Sequence, residues 1–113
     1  MKRKTVAVVD YGSGNLRSVS QAVQHVAAAT DFDVRVTQNA QEVLDAERVV
    51  LPGQGHMGDC MRELAASGLL PAVLHAAANK PLFGVCVGMQ MLLTRSEEGP
   101  TDGLNLIPGQ VAR

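Results

Sequence analysis

Runs of β-branched and other apolar residues alternate along this chain with stretches of helical periodicity. Thr5–Asp10 (TVAVVD) is an uninterrupted run, as expected of a strand buried on both faces. Behind a Gly12-Ser13-Gly14-Asn15 turn, Leu16, Val19, Val23 and Val26 recur at helical spacing. Phe32–Val36 reads as a second strand, and its alternation with Asp33 and Arg35 predicts an edge position. Ala40–Ala46 follows as a short helix, then Val49-Val50-Leu51 as a third strand stopped by Pro52-Gly53. Asp59 is placed to cap a helix running through Ala66. Leu69, Leu70, Val73, Leu74, Ala77 and Ala78 line one face of the next helix. Pro81–Cys86 (PLFGVC) reads as a fourth strand, Met89–Thr94 as a helix, and Gly103–Ala112 as a last short strand or hairpin arm. Strands alternating with helices predict an α/β fold: an open, mostly parallel sheet with helices on both faces.

At 113 residues the chain has room for one domain, residues 1–113, and 46% of it is apolar, enough for a core. Ten basic and eleven acidic side chains give a formal charge of −1, which argues against a nucleic-acid footprint or a polybasic membrane binder. Val6 to Val9, the apolar run behind the basic start, is too short for a signal peptide or a spanning helix. A soluble, cytoplasmic protein with reduced thiols is expected, its two cysteines, Cys60 and Cys86, forming no disulfide scaffold. The apolar pattern still runs at Leu104-Asn105-Leu106-Ile107, six residues before the chain stops. An apparently truncated domain with an uncovered sheet edge or flank is therefore expected.

The sharpest chemical signal is Gly84-Val85-Cys86-Val87-Gly88, a G-x-C-x-G between an apolar strand and a helix. A sharp strand-to-helix turn lifts one side chain above the carboxyl edge of the sheet, and flanking glycines remove the Cβ atoms that would clash there. The helix start beside the sulfur favours the thiolate. The Val87 N–H would point where an oxyanion forms. A buried core cysteine is the plainer reading, and it suits Cys60, which lies mid-helix in Asp59-Cys60-Met61-Arg62-Glu63 without flanking glycines.

A second signal is Leu51-Pro52-Gly53-Gln54-Gly55-His56-Met57-Gly58, at the same sheet edge. Alone it would be equally well a plain turn. Beside an elbow cysteine its glycines make it a candidate oxyanion loop. The Gly12-x-Gly14 pair does not extend to a dinucleotide fingerprint, because Arg17 stands where a small residue is needed. No cofactor and no metal are expected.

Asp10-Tyr11-Gly12-Ser13-Gly14-Asn15-Leu16, LPGQG, GVCVGMQMLL and Ser96-Glu97-Glu98 together resemble the class I glutamine amidotransferases, with their flavodoxin-like fold. Within that class the resemblance is to glutaminase subunits of imidazole glycerol phosphate synthase. It runs from Val6 to the last residue, so that the chain resembles the amino-terminal portion of the amidotransferase domain.

The resemblance implies that Cys86 attacks the side-chain amide of glutamine, releases ammonia and passes through a glutamyl thioester to glutamate. The Val87 N–H is one implied oxyanion donor, and the Gln54 N–H after a peptide flip is the second. Gly53, Gln90 and Glu98 fall at substrate-binding positions, Glu98 suiting the ammonium group. Asn15 and Ser18 fall at positions facing a (β/α)8 cyclase, the implied partner in a heterodimer. Two departures stand out. The family's general base is a His oriented by a Glu beyond the cysteine, yet His25, His56 and His75 all precede Cys86. Gln54 stands where an apolar residue is common, which a backbone donor tolerates. Two other readings are a non-catalytic, partner-binding fragment and another elbow-cysteine α/β protein, such as a thiol-redox or chaperone-like one. A His-x-Glu pair encoded downstream would favour the glutaminase.

Overall fold

The computed structural model describes residues 4–12, 16–86, 91, 95–96, 101–102 and 110–111. Its main sheet is built from β1 (Lys4–Val9), β2 (Phe32–Thr37), β3 (Arg48–Gly53) and β4 (Leu82–Cys86). All pairings are parallel and the order is β2-β1-β3-β4. The helices are α1 (Leu16–Ala27), α2 (Ala40–Asp45), α3 (Met57–Ser67) and α4 (Leu70–Asn79). The α/β class and the edge position of β2 are as the sequence predicts.

Side chains alternate across a strand, so β1 feeds two cores. Ala7 and Val9 enter a core with Val49 and Leu51 of β3 and residues of α2, α3 and α4. Val6 and Val8 enter a second core with Val50 and Val19, the latter from α1. Helices thus cover both faces, and the uninterrupted apolar run of β1 is explained.

The element ends are held by local chemistry. Asn39 caps α2: its side chain accepts from the Gln41 N–H (2.8 Å) and the Glu42 N–H (3.4 Å). Gly68 closes α3 in a left-handed conformation (φ 81°) that glycine adopts without a steric penalty. Pro71 sits in the first turn of α4, where its missing N–H costs nothing. The carboxyl end of α2 is held from another element: the Lys80 ammonium donates to the carbonyls of Leu44 (2.5 Å), Ala46 (2.5 Å) and Val43 (3.4 Å). A cation there satisfies orphan carbonyls and opposes the negative end of the helix dipole.

Several expectations are corrected. Strand β3 does not stop at Leu51 but runs on through Pro52 and Gly53, both paired with β4. A proline forfeits only its own ladder donor, and near a strand end that loss is small. Asp59 does not cap α3. The helix starts at Met57, which is buried in the core, with His56 at the N-cap and Asp59 in the first turn beside Arg62.

Helix α4 buries Ala72, Val73 and Ala76 behind the buried N-cap residue Leu69, while Leu74 and Ala78 are exposed. Its small side chains turn inward because α4 packs against both α2 and β3. On α1, Val19 is buried but Val26 is 73% exposed. It borders an apolar groove of about 510 Å³ with Val23, Val50, Phe83 and Val85. Among the described residues the apolar face on the α1 side of β3 and β4 is open at Phe83, which is 67% exposed.

The expected Met89–Thr94 helix lies outside the described residues apart from Met91, which is helical and buried. Leu92, Leu93, Leu104, Leu106 and Ile107 also lie outside them. Three two-residue strands, β5 (Arg95–Ser96), β6 (Thr101–Asp102) and β7 (Gln110–Val111), form a small mixed sheet in the order β6-β5-β7. The expected final strand corresponds to β7, whereas β5 and β6 carry no apolar run that would announce them.

Replacing Lys80 by Ala is expected to lower the unfolding free energy by about 1–2 kcal/mol. Urea denaturation should show a lower midpoint at unchanged slope. An unmoved midpoint would mean that water replaces the ammonium at no cost.

Candidate active site at the carboxyl edge of the sheet

Because the four main strands are parallel, their carboxyl ends share one edge, where α/β sheets bind ligands. The residues following β1, the end of β3 and the end of β4 meet there. Gly53 is the register partner of Cys86, and Pro52 is that of Val85. The oxyanion-loop candidate and the cysteine candidate, separate in sequence, are thus neighbouring strand ends.

The loop leaving β3 changes character within three residues. Pro52 and Gly53 are buried, whereas Gln54, Gly55 and His56 are exposed. Gly55 has φ 86°, and a Cβ built there would meet no atom within 4 Å. Its need for glycine is therefore conformational and not a matter of space.

Two side chains hold the loop. The Tyr11 hydroxyl donates to the Pro52 carbonyl at 2.5 Å, and its Oη lies 3.5 Å from Met91 Sδ. The Cys60 thiol donates to the Gln54 carbonyl at 3.4 Å. Tyr11 reaches Pro52 from the turn after β1. In that turn the Asp10 carboxylate accepts from the Gly12 N–H (3.3 Å) and the Gln38 side-chain amide (3.1 Å).

Of the residues singled out in the sequence, Cys86 and Gly53 are register partners, and Gln54 follows directly in the loop. Ser18 is exposed near the start of α1, at the same end of the sheet as the first βα turn. Asn15, Val87, Gln90 and Glu98 lie outside the described residues. His25 and His75 are exposed on α1 and α4, and His56 is exposed at the N-cap of α3. Cys60 is buried in α3, as the sequence predicts. Sequence reasoning missed its thiol bond to the loop and the hydroxyl bond of Tyr11. The aromatic among small residues in Asp10-Tyr11-Gly12 was the available signal.

Among the described residues no cluster of His, Cys, Asp and Glu could hold a metal ion. No described helix is long and apolar enough to cross a membrane.

Residues 7–102 match the family model for "Glutamine amidotransferase class-I". The chain is 56% identical over 108 residues to the imidazole glycerol phosphate synthase subunit HisH of Nitrosospira multiformis, covering 96% of this chain and 50% of that protein. It is also 56% identical over 110 residues to the corresponding subunit of Dechloromonas aromatica, with 97% and 50% covered. The chain thus spans about half the length of the curated relatives it matches. Among solved structures, a peptidase E-type protein from Listeria monocytogenes superposes with a TM-score of 0.68 over 92% of this chain and 63% of that one. At 16% identity this likeness speaks for the fold alone.

Substituting Gly55 by Ala is expected to cost about 1–2 kcal/mol of stability although the space is open. Asn, which tolerates the left-handed region better, should recover part of that. Chemical denaturation of both variants checks this, and equal stability of Ala and Gly at this position would remove the conformational explanation.

Proposed function

Because the chain belongs to the class I glutamine amidotransferase family, we propose that it carries the nucleophile-bearing part of a glutaminase subunit of imidazole glycerol phosphate synthase. The observation that carries this reading is the register that sets Gly53 beside Cys86. A nucleophile and a glycine-flanked backbone donor on adjacent strand ends suit attack on a planar amide, followed by stabilisation of the resulting oxyanion.

In this reading the Cys86 thiolate adds to the side-chain carbonyl carbon of glutamine. The oxygen of the tetrahedral species takes hydrogen bonds from the Val87 N–H and the Gln54 N–H. Collapse expels ammonia and leaves a glutamyl thioester, and water then releases glutamate and the thiol. Gly53, Gln90 and Glu98 are assigned to the glutamine, with the Glu98 carboxylate opposite its ammonium group. The Gln54 side chain is exposed, which fits a residue contributing only its backbone.

The ammonia would pass to a (β/α)8 cyclase in a cytoplasmic heterodimer, with Asn15 and Ser18 facing that partner. The cyclase would form imidazole glycerol phosphate and an aminoimidazole carboxamide ribotide, the step that joins histidine and purine synthesis.

Ammonia is a poor leaving group unless protonated as it departs, and attack needs the thiol proton removed. No histidine follows Cys86 in the 113 residues. The 113-residue polypeptide is therefore expected not to turn over glutamine, with or without the cyclase, in an assay of glutamate release. Robust turnover abolished by His56→Ala would instead make His56 the base.

Alkylation needs no leaving ammonia, so it tests the site directly. A chloroketone analogue of glutamine should label Cys86 and spare Cys60, as read by peptide mapping. Preferential labelling of Cys60 would sink the assignment. Gln54→Ala should leave the labelling rate nearly unchanged. Gln54→Pro deletes the donor and should slow labelling at least tenfold, a conservative share of the roughly 10²–10³ that one oxyanion donor contributes to turnover. Equal, mild effects of both changes would reduce the loop to a plain turn.

A further inference from the structure

Three consecutive peptide groups lead from β3 into the loop, and two of their carbonyls are held by side chains from different elements. The Pro52 carbonyl, in the Pro52–Gly53 peptide, accepts from the Tyr11 hydroxyl at 2.5 Å. The Gln54 carbonyl, in the Gln54–Gly55 peptide, accepts from the Cys60 thiol at 3.4 Å. Between them lies the Gly53–Gln54 peptide, which carries the N–H assigned above to the oxyanion. Both anchors are rigidly placed: Tyr11 is 5% exposed and Cys60 is 1% exposed, and both belong to the core packed beneath α2, α3 and α4.

The geometry has a mechanical consequence. Chain direction is retained when a single peptide plane rotates, provided the planes on either side stay fixed and the adjoining dihedrals are free to compensate. The dihedrals adjoining the Gly53–Gln54 peptide are ψ of Gly53 and φ of Gln54, and Gly53, lacking a Cβ, offers little steric resistance to its share. A trans peptide carries its C=O and N–H on opposite sides, so the bond from Tyr11 also turns the Gly53 N–H away from the tyrosine.

We propose that Tyr11 and Cys60 are positioning residues that clamp the peptides on either side of Gly53–Gln54 and so set the orientation of that peptide beside Cys86. The proposal rests on the reading of the Gln54 N–H as an oxyanion donor. The contacts of Tyr11 with both Pro52 and Met91 also tie the β1 turn to the loop and to the segment following Cys86. Both side chains act through the loop backbone.

The test uses Tyr11→Phe, which removes one hydroxyl and keeps the ring, and Cys60→Ala, with Cys60→Ser as the conservative variant that restores a donor. Two rates are measured at Cys86 on each folded protein: alkylation by the chloroketone analogue of glutamine and alkylation by iodoacetamide. Loss of one net hydrogen bond predicts that Tyr11→Phe lowers the chloroketone rate roughly fivefold to tenfold. A thiol is a weaker donor, so Cys60→Ala should lower it roughly twofold to fivefold, and Cys60→Ser should recover it. Iodoacetamide, which has no oxyanion geometry to satisfy, should react at an unchanged rate in all variants.

Amide hydrogen exchange should rise at Gly53, Gln54 and Gly55 and stay level in β1. A general loss of stability would instead raise exchange everywhere and leave the ratio of the two alkylation rates fixed. That result, or unchanged exchange in the loop, overturns the proposal. If wild-type Cys86 shows no preference for the glutamine analogue, the glutaminase reading fails separately, and exchange at the three loop amides still upholds or overturns the clamp.

Discussion

Strand β3 is hydrogen-bonded on both edges, to β1 on one side and to β4 on the other, and every other part of the candidate site is placed by reference to it. Its middle residues Val49 and Leu51 are buried in the larger core, and each such side chain contributes roughly 1.5–3 kcal/mol of burial. That anchoring lets the same strand end in a proline and a glycine, residues that weaken a ladder, without fraying. The position of Gly53 opposite Cys86 is thus secured by apolar packing one turn of the pleat away. The β1 turn adds a cross-brace from the other flank through Tyr11.

The sheet protects its two edges unequally. On β2 the exposed or half-exposed Asp33 and Arg35 alternate with apolar residues, a charge pattern that discourages pairing with another chain. Arg35 also approaches Glu42 of α2 at 4.0 Å. Arg48 lies 4.9 Å from the centre of the Phe32 ring and Lys4 5.8 Å from it, so charged heads shield the aromatic at that end. On β4 no such device is present among the described residues, and Phe83 faces outward from an apolar groove.

Much of the fold was legible in the sequence because parallel strands of an α/β sheet leave uninterrupted apolar runs, TVAVVD in the buried β1 and PLFGVC in β4, even though Phe83 there is exposed. That the cysteine and the glycine-rich loop fall on neighbouring strand ends was legible because each directly follows such a run. Helix rotation was less so. Ala72 and Ala76 win the inward face of α4 over Leu74 because closeness to α2 and β3 favours small side chains, a property of the partner surface. The start of α3 was misjudged because the buried Met57, and not the polarity of Asp59, decides where the helix begins. The partners of Lys80 and Tyr11 were unreadable in advance, since each meets its acceptors more than thirty residues away.

The separation of these partners bears on the order in which the molecule assembles. Each neighbouring strand–helix unit closes over a short span, but Tyr11 and Pro52 are 41 residues apart and Tyr11 and Met91 are 80 apart. Loop-closure entropy makes such contacts late arrivals, formed only after local units have docked. The tyrosine hydroxyl therefore finds both neighbours only when β1, β3 and the segment beyond β4 are already assembled. A partly folded chain would carry the same cysteine without an arranged loop beside it. The arrangement of the loop beside that cysteine is in this way conditional on completed folding.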